Sequence, residues 1–158
     1  MHNINFRVEV DRKTLTKAPP NAVMSYFELN DGKNRITHMG GPIQTLDGSN
    51  LIVRIDEVYT ELEFRRQKYT NTLVDQVAQW LKFFENADNV KIKEIRGRFS
   101  ANNKDYWNAG FLLLQRFSNQ LFRKPIIELV DQKTKKPVKT IRFTLAKNVL
   151  FSAKDKMP

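Results

Sequence analysis

The fold of this chain is decided by residues 58–74, which read VYTELEFRRQKYTNTLV. The apolar run that leads into this stretch, residues 51–59, predicts a strand. From Tyr69 onward apolar residues recur every three or four positions, the period of an amphipathic helix. Residues 90–99 predict a second, basic strand, which Ser100-Ala-Asn-Asn follows. A strand that runs into a helix N-terminus is a common way to build a cofactor phosphate site, although the glycines usual in such a site are absent.

The composition is that of a single globular domain. The chain has 158 residues, of which 41% are hydrophobic and 11% aromatic, enough for one sizeable core. We expect one domain over residues 1–147 and a C-terminal tail over 148–158. The absence of cysteine excludes disulfides and thiolate metal sites. No window approaches the ~20 apolar residues of a membrane span, so we expect a cytoplasmic protein that does not contact membranes.

The positive charge is concentrated near the C-terminus. The formal net charge is +10, and residues 120–158 hold 10 of the 27 basic residues but only 3 of the 17 acidic ones. Such a block attracts polyanions through counterion release, although a solvated surface would have the same composition. As an alternative function we therefore consider nucleic-acid binding around the last predicted hairpin, by Lys133, Lys135, Lys136, Lys139 and Arg142.

The remaining periodicity predicts an α+β (α/β-like) domain with a single mixed, mostly antiparallel sheet of about six to seven strands and two main helices. The predicted strands are residues 3–10, 22–30, 36–46, 51–59, 90–99, 125–130 and 139–146. Gly40-Gly41-Pro42 is expected to weaken the third of them. Thr70 or Asn71 is a candidate cap for the first helix, and Asn103 for the second.

These residues resemble the GCN5-related N-acetyltransferase (GNAT) superfamily. Residues 58–74 look like its fourth strand and acetyl-CoA loop, and the basic strand with Ser100-Ala-Asn-Asn looks like its fifth strand and the helix after it. In the loop pattern Arg/Gln-x-x-Gly-x-Gly/Ala, Arg65 takes the first place, Lys68 the first glycine and Thr70 the second small residue. The resemblance implies an acyl-CoA N-acyltransferase-like fold, acetyl-CoA as the cofactor and an amine as the acceptor. The implied cofactor-binding residues are Val58, Arg65, Arg66, Gln67, Lys68, Tyr69, Thr70, Asn71 and Asn103.

The chain departs from the family at the catalytic positions. The family's general acid is a Tyr late in the second helix, where this chain has Phe117, and a phenyl ring has no proton to give. The candidate catalytic residues are Tyr106, in the same helix, and Glu57, on the strand before the loop. His2 and His38 have no carboxylate or histidine at ligand spacing, so we expect no metal site. Residues 11–21 leave room for one turn of helix, where the family has one or two helices that help to form the acceptor site.

Two functions therefore remain open. The first is an acetyl-CoA-dependent N-acetyltransferase with an eroded active site. The alternative is a catalytically inactive GNAT-fold binding protein for nucleic acid or a protein partner, and small size with eroded motifs is compatible with a phage or plasmid origin. Whether the chain is an enzyme and whether it forms a homodimer are left open at this point.

Overall fold

Within the residues that the structure describes, eight strands form one mixed sheet and three α-helices accompany it. The structure is a computed structural model and describes residues 3–15, 21–46, 49–65, 67–100, 104–132 and 138–146; at 100, 104–107, 129–132 and 138–141 it describes the backbone alone. The helices are α1 (Arg12–Leu15), α2 (Tyr69–Ala87) and α3 (Lys104–Leu121). The strands are β1 (Ile4–Val10), β2 (Asn21–Asp31), β3 (Asn34–Thr45), β4 (Asn50–Ile55), β5 (Glu57–Thr60), β6 (Lys91–Ser100), β7 (Pro125–Gln132) and β8 (Val138–Ala146).

The strand order is β1-β2-β3-β4-β6-β8-β7, with β5 paired to β3. Every pair is antiparallel except β4 with β6, which the long connection through α2 makes parallel. The predicted fold class is therefore confirmed. The described residues form eight strands because the predicted strand 51–59 is interrupted at Asp56 into β4 and β5. The predicted tail, 148–158, lies outside the described residues.

The core lies between one face of the sheet and the helices. Phe27 of β2 packs edge-on against Trp80 of α2, with ring centroids 5.2 Å apart, and Phe99 of β6 packs against Phe111 of α3 at 5.3 Å. The strand register places Phe27 and Phe99 on the same face of the sheet, so α2 and α3 cover the same face. The predicted helical stripe is buried there, at Leu73, Val77, Leu81 and Phe84.

The expected weakening of the third strand was wrong, because β3 runs through Gly40-Gly41-Pro42 without a break. A Cβ added at Gly40 would lie 2.3 Å from the carbonyl oxygen of Ser25, and one at Gly41 would lie 2.3 Å from that of Arg54. The two glycines therefore mark where β2 and β4 approach β3 too closely for any side chain. The absence of side chains at these two positions lets the strands pair closely, so the glycines do not interrupt the sheet.

A buried arginine fastens the end of α3 to the sheet. Arg123, 7% exposed, donates hydrogen bonds to the carbonyl oxygens of Ile92, at 2.7 Å, and Leu145, at 3.2 Å. Burial lowers the pKa of this guanidinium from its ordinary value, and the nearby carboxylate of Glu85 opposes that shift. The side chain thus links α3 to both β6 and β8.

Candidate functional site

The pairing of the parallel strands β4 and β6 ends where β4 ends. Their last pair is Ile55 with Gly97. Beyond it, β5 pairs only with β3 among the described strands, while β6 continues beside β8 as far as Ser100. The main-chain N–H of Asp56 donates to the carbonyl oxygen of Gly40, 2.9 Å away, which turns the chain toward β3. The result is a wedge between β5 and β6, in which the second edge of β5 pairs with no described strand.

A cavity of about 680 Å³ occupies this wedge. On the helix side its wall is largely apolar and comes from both helices and three strands; it includes Ile55, Val74, Phe99, Leu114, Phe117 and Phe143. At its rim are the polar residues Asp56, Glu57, Thr60, Arg65, Thr70 and Arg98. A concave apolar space with a few polar groups at its edge is the ordinary form of a small-molecule site.

Three threonines connect the wedge to the start of α2. The hydroxyl of Thr60 donates to that of Thr37, 3.0 Å away, and shares a hydrogen bond with the hydroxyl of Thr70 at 2.6 Å. Arg65 donates from Nε to the carbonyl oxygen of Thr60 at 2.9 Å, and its guanidinium lies 5.3 Å from the centre of the Tyr59 ring. These contacts fix the loop between β5 and α2.

The N-terminus of α2 carries no side-chain cap, so the predicted caps Thr70 and Asn71 were wrong. The helix begins at Tyr69, and no side-chain hydrogen bond caps it at Lys68. Its first main-chain bond is from the N–H of Thr72 to the carbonyl oxygen of Lys68, at 3.2 Å. The hydroxyl of Thr70 is instead engaged with Thr60. Helix-start amides without internal acceptors, together with the helix dipole, favour an anion.

Lys68 adopts a backbone conformation that favours glycine, with φ of 65°. The sequence resemblance aligns Lys68 with the first glycine of the GNAT loop. We expect Lys68→Gly to raise the melting temperature by about 1–2 °C, because relief of the left-handed strain slightly exceeds the added entropy of the unfolded chain. Asn89→Gly is the matched control, since Asn89 has a similar φ of 53° but asparagine tolerates it better. Circular dichroism melts would contradict this prediction if Lys68→Gly melted below the wild type.

The predicted cofactor residues are arranged in three ways. Val58, Arg65 and Thr70 line the cavity. Lys68 and Asn71 lie at the start of the helix. Two others are engaged with neighbouring loop residues instead of lining the cavity. Tyr69 packs against Phe64 with ring centroids 5.9 Å apart, and Gln67 donates to the carbonyl oxygen of Glu63 at 3.1 Å. Arg66 and Asn103 lie outside the described residues.

Glu57 forms a pair with a histidine that sequence analysis had set aside. Glu57 lines the cavity, and its Oε1 lies 3.2 Å from Nε2 of His38. His38 is buried between Tyr26 and Tyr59, and its Nδ1 has no partner within the described parts of the chain. Sequence spacing does not predict this pair, because the pairing of β3 with β5 brings the two residues together.

The remaining catalytic and nucleic-acid candidates are only partly described. Phe117, which the sequence resemblance aligns with the family's general acid, is buried and lines the cavity with a ring that has no hydroxyl. Tyr106 lies on α3, but its side chain is outside the described residues. The same holds for the side chain of Lys139 and for Lys133, Lys135 and Lys136 entirely, while Arg142 is exposed on β8. Phe99 and Phe143, beside Arg98 and Arg142, pack against each other with ring centroids 6.4 Å apart.

The described ranges contain no group of three or more His, Asp or Glu side chains that could hold a metal ion. None of their helices has the length and apolarity that a bilayer crossing requires.

Solved structures of acetyltransferases share the fold of this chain. No protein-family model and no curated protein sequence matches the chain. Arabidopsis thaliana NAA60 in complex with acetyl-CoA superimposes with a TM-score of 0.61 over 91% of this chain and 98% of that one, at 12% identity. The chain has the GNAT fold. The Escherichia coli ribosomal-protein-S18-alanine N-acetyltransferase gives 0.53 over 90% and 94%, at 9% identity. The NatC complex bound to Gag peptide and CoA gives 0.57 over 78% and 71%, at 12% identity.

The connection between β1 and β2 is short, as the sequence predicts. Between β1 and β2 the described residues contain only α1, a helix of four residues. Its Leu15 is buried in the core, and Arg12 is bonded to Asp88 at the end of α2, so α1 lies on the same face as the other helices. The opposite face of the sheet therefore carries no helix from the described part of the chain.

Proposed function

We propose that this protein is an acetyl-CoA-dependent N-acetyltransferase whose transfer site is the wedge between β5 and β6. The observation that carries the proposal is the continuity of the cavity from the bare edge of β5 to the uncapped start of α2. An extended amide chain can add to such an edge by main-chain hydrogen bonds. A diphosphate suits helix-start amides. Acetyl-CoA has both parts in one molecule, and it would supply an acetyl group activated as a thioester.

The residues present fit this cofactor. The edge at Val58 would pair with its amide arm, while the amides of Thr70 and Asn71 would receive the diphosphate. The side chains of Arg65 and Lys68, both exposed near the helix entrance, would add positive charge. The solved structures of NAA60 with acetyl-CoA and of NatC with CoA support this assignment by their shared fold.

Glu57 is the residue best placed to accept a proton. It lines the cavity, its side chain is 65% exposed, and its Oε1 lies 3.2 Å from Nε2 of His38. In the overall reaction a bond from the amine nitrogen to the carbonyl carbon replaces the carbon–sulfur bond. Glu57 would take the proton that the amine loses and later return it to solvent. Because Phe117 has no proton to give, solvent would protonate the thiolate that acetyl-CoA releases. We therefore expect the reaction to be slow, with positioning as the main source of rate.

Titration with acetyl-CoA tests the proposal. At a concentration about 100 times the Kd, binding adds about 2.7 kcal/mol to stability, or roughly 5–10 °C in melting temperature for a chain of this length. Ala109→Trp would fill the cavity from α3 and abolish the shift. Ala87→Trp, the same change at an exposed position at the end of α2, should leave it intact.

The outcomes separate the two functions left open by the sequence. Absence of any shift at millimolar acetyl-CoA, or an equal shift in Ala109→Trp, would reject the proposal. A shift that depends on Ala109, combined with no acetylation of any amine tested, would assign the chain to the catalytically inactive binding proteins.

A further inference from the structure

The rim of the cavity has a second side, on the sheet face opposite the helices. Glu57 lies on that face, since it contacts His38 of β3, whose neighbour Met39 points into the core. Arg98 lies there as well, because its neighbours Gly97 and Phe99 face Phe143 and α3. Both Glu57 and Arg98 line the cavity. The opening of the wedge on this face is thus flanked by a carboxylate from β5 and a guanidinium from β6.

Arg98 has a second arginine beside it. The register of β6 and β8 places it directly opposite Arg142, and both side chains are exposed. Like charges directly opposite in an antiparallel pair are destabilising. Neither arginine forms an ion pair with any described residue, although Glu128 lies opposite Arg142 on β7. Other arginines of the chain do have carboxylate partners, in the pairs Arg12–Asp88, Arg35–Glu61, Arg96–Glu94 and Arg116–Asp75.

We propose that the acceptor is an amine that carries an anionic group close to its nitrogen, and that Arg98 with Arg142 binds that anion while Glu57 faces the amine. Two adjacent guanidinium groups offer paired N–H donors in the planar geometry that a carboxylate or phosphate accepts. An anion between them removes the repulsion that the register otherwise imposes. That this opening receives an acceptor rests on the proposed function, whereas the anion site is testable without the cofactor.

Peptide binding in the absence of acetyl-CoA tests the anion site. The probes are three C-terminally amidated tripeptides that differ in the first residue, Glu-Ala-Ala, Gln-Ala-Ala and phosphoserine-Ala-Ala. Isothermal titration should give the Glu peptide about tenfold tighter binding than the Gln peptide, which lacks the charge but keeps the shape. The phosphoserine peptide distinguishes the two sources of the anion, since it binds tighter than the Glu peptide only if the site is suited to phosphate.

Arg98→Gln and Arg142→Gln should each reduce the preference for the Glu peptide to about twofold or less. Arg54→Gln is the matched control. Arg54 is exposed on the same sheet face and loses the same charge, but it does not line the cavity. Its preference should be unchanged, which separates a local site from attraction by the net charge of +10.

Three results would overturn the inference. They are equal binding of the Glu and Gln peptides, a loss of preference in Arg54→Gln as large as in Arg98→Gln, and no binding of either acidic peptide at millimolar concentration. None of these depends on whether acetyl-CoA binds, so failure of the anion site and failure of the proposed function are distinguished by separate titrations.

Discussion

Gly41→Ala is expected to lower the free energy of unfolding by about 3 kcal/mol, because the new methyl group has no space. Its Cβ would lie 2.3 Å from the carbonyl oxygen of Arg54 and 3.0 Å from the main-chain nitrogen of Asp56. Both are backbone atoms, so relief requires β4 to move away from β3. Urea unfolding followed by circular dichroism measures the change.

The same substitution should also weaken acetyl-CoA binding, since Asp56 is where the chain turns away from β6 and the wedge begins. Gly32→Ala is the control. Gly32 has φ of 59° but nothing within 4 Å of an added Cβ, so its cost comes from backbone strain alone and should be about 1 kcal/mol. If Gly41→Ala proved no more destabilising than Gly32→Ala, the close approach of β3 and β4 described here would be incorrect.

Arg123→Met is expected to destabilise the protein by about 3 kcal/mol. The apolar side chain fills much of the same volume but leaves the carbonyl oxygens of Ile92 and Leu145 without the donors that now reach them. It also removes the cation 3.8 Å from Glu85. A buried carbonyl oxygen without a donor is costly because it has lost its hydrogen bonds to water and gains none within the protein.

Thermal and urea unfolding of Arg123→Met should be compared with Arg116→Met. Arg116 bonds to Asp75 between α3 and α2, but at the exposed surface, where ion pairs contribute little. We expect a clearly smaller effect from that change. Equal effects of the two substitutions would show that the contacts of Arg123 are not what fastens α3 to the sheet.

The sequence predicted the elements of this fold well, because each has a strong periodic pattern. The alternation in residues 3–10 and 22–30 and the stripe from Leu73 to Phe84 each report which side faces the core. Such patterns depend only on neighbours along the chain. The break at Asp56 does not, since it arises from a hydrogen bond to Gly40 on another strand.

The site was harder to predict, because much of it also depends on contacts between strands that are distant in sequence. The loop residues Arg65, Lys68 and Thr70 follow a pattern that can be read along the chain. The pair of His38 with Glu57 and the adjacency of Arg98 and Arg142 are products of strand register. Register is set by the packing of the whole sheet, so these pairs become visible only when the strands are placed side by side.

The short connection between β1 and β2 bears on the size of the acceptor in the proposed function. In the described part of the chain no helix lies over Glu57 and Arg98 on their side of the sheet. If this opening receives the acceptor, as we propose, the described helices would not limit its size. A nitrogen on the surface of a large folded protein could then approach as closely as one on a free metabolite, and selection between them would depend on charge near that nitrogen.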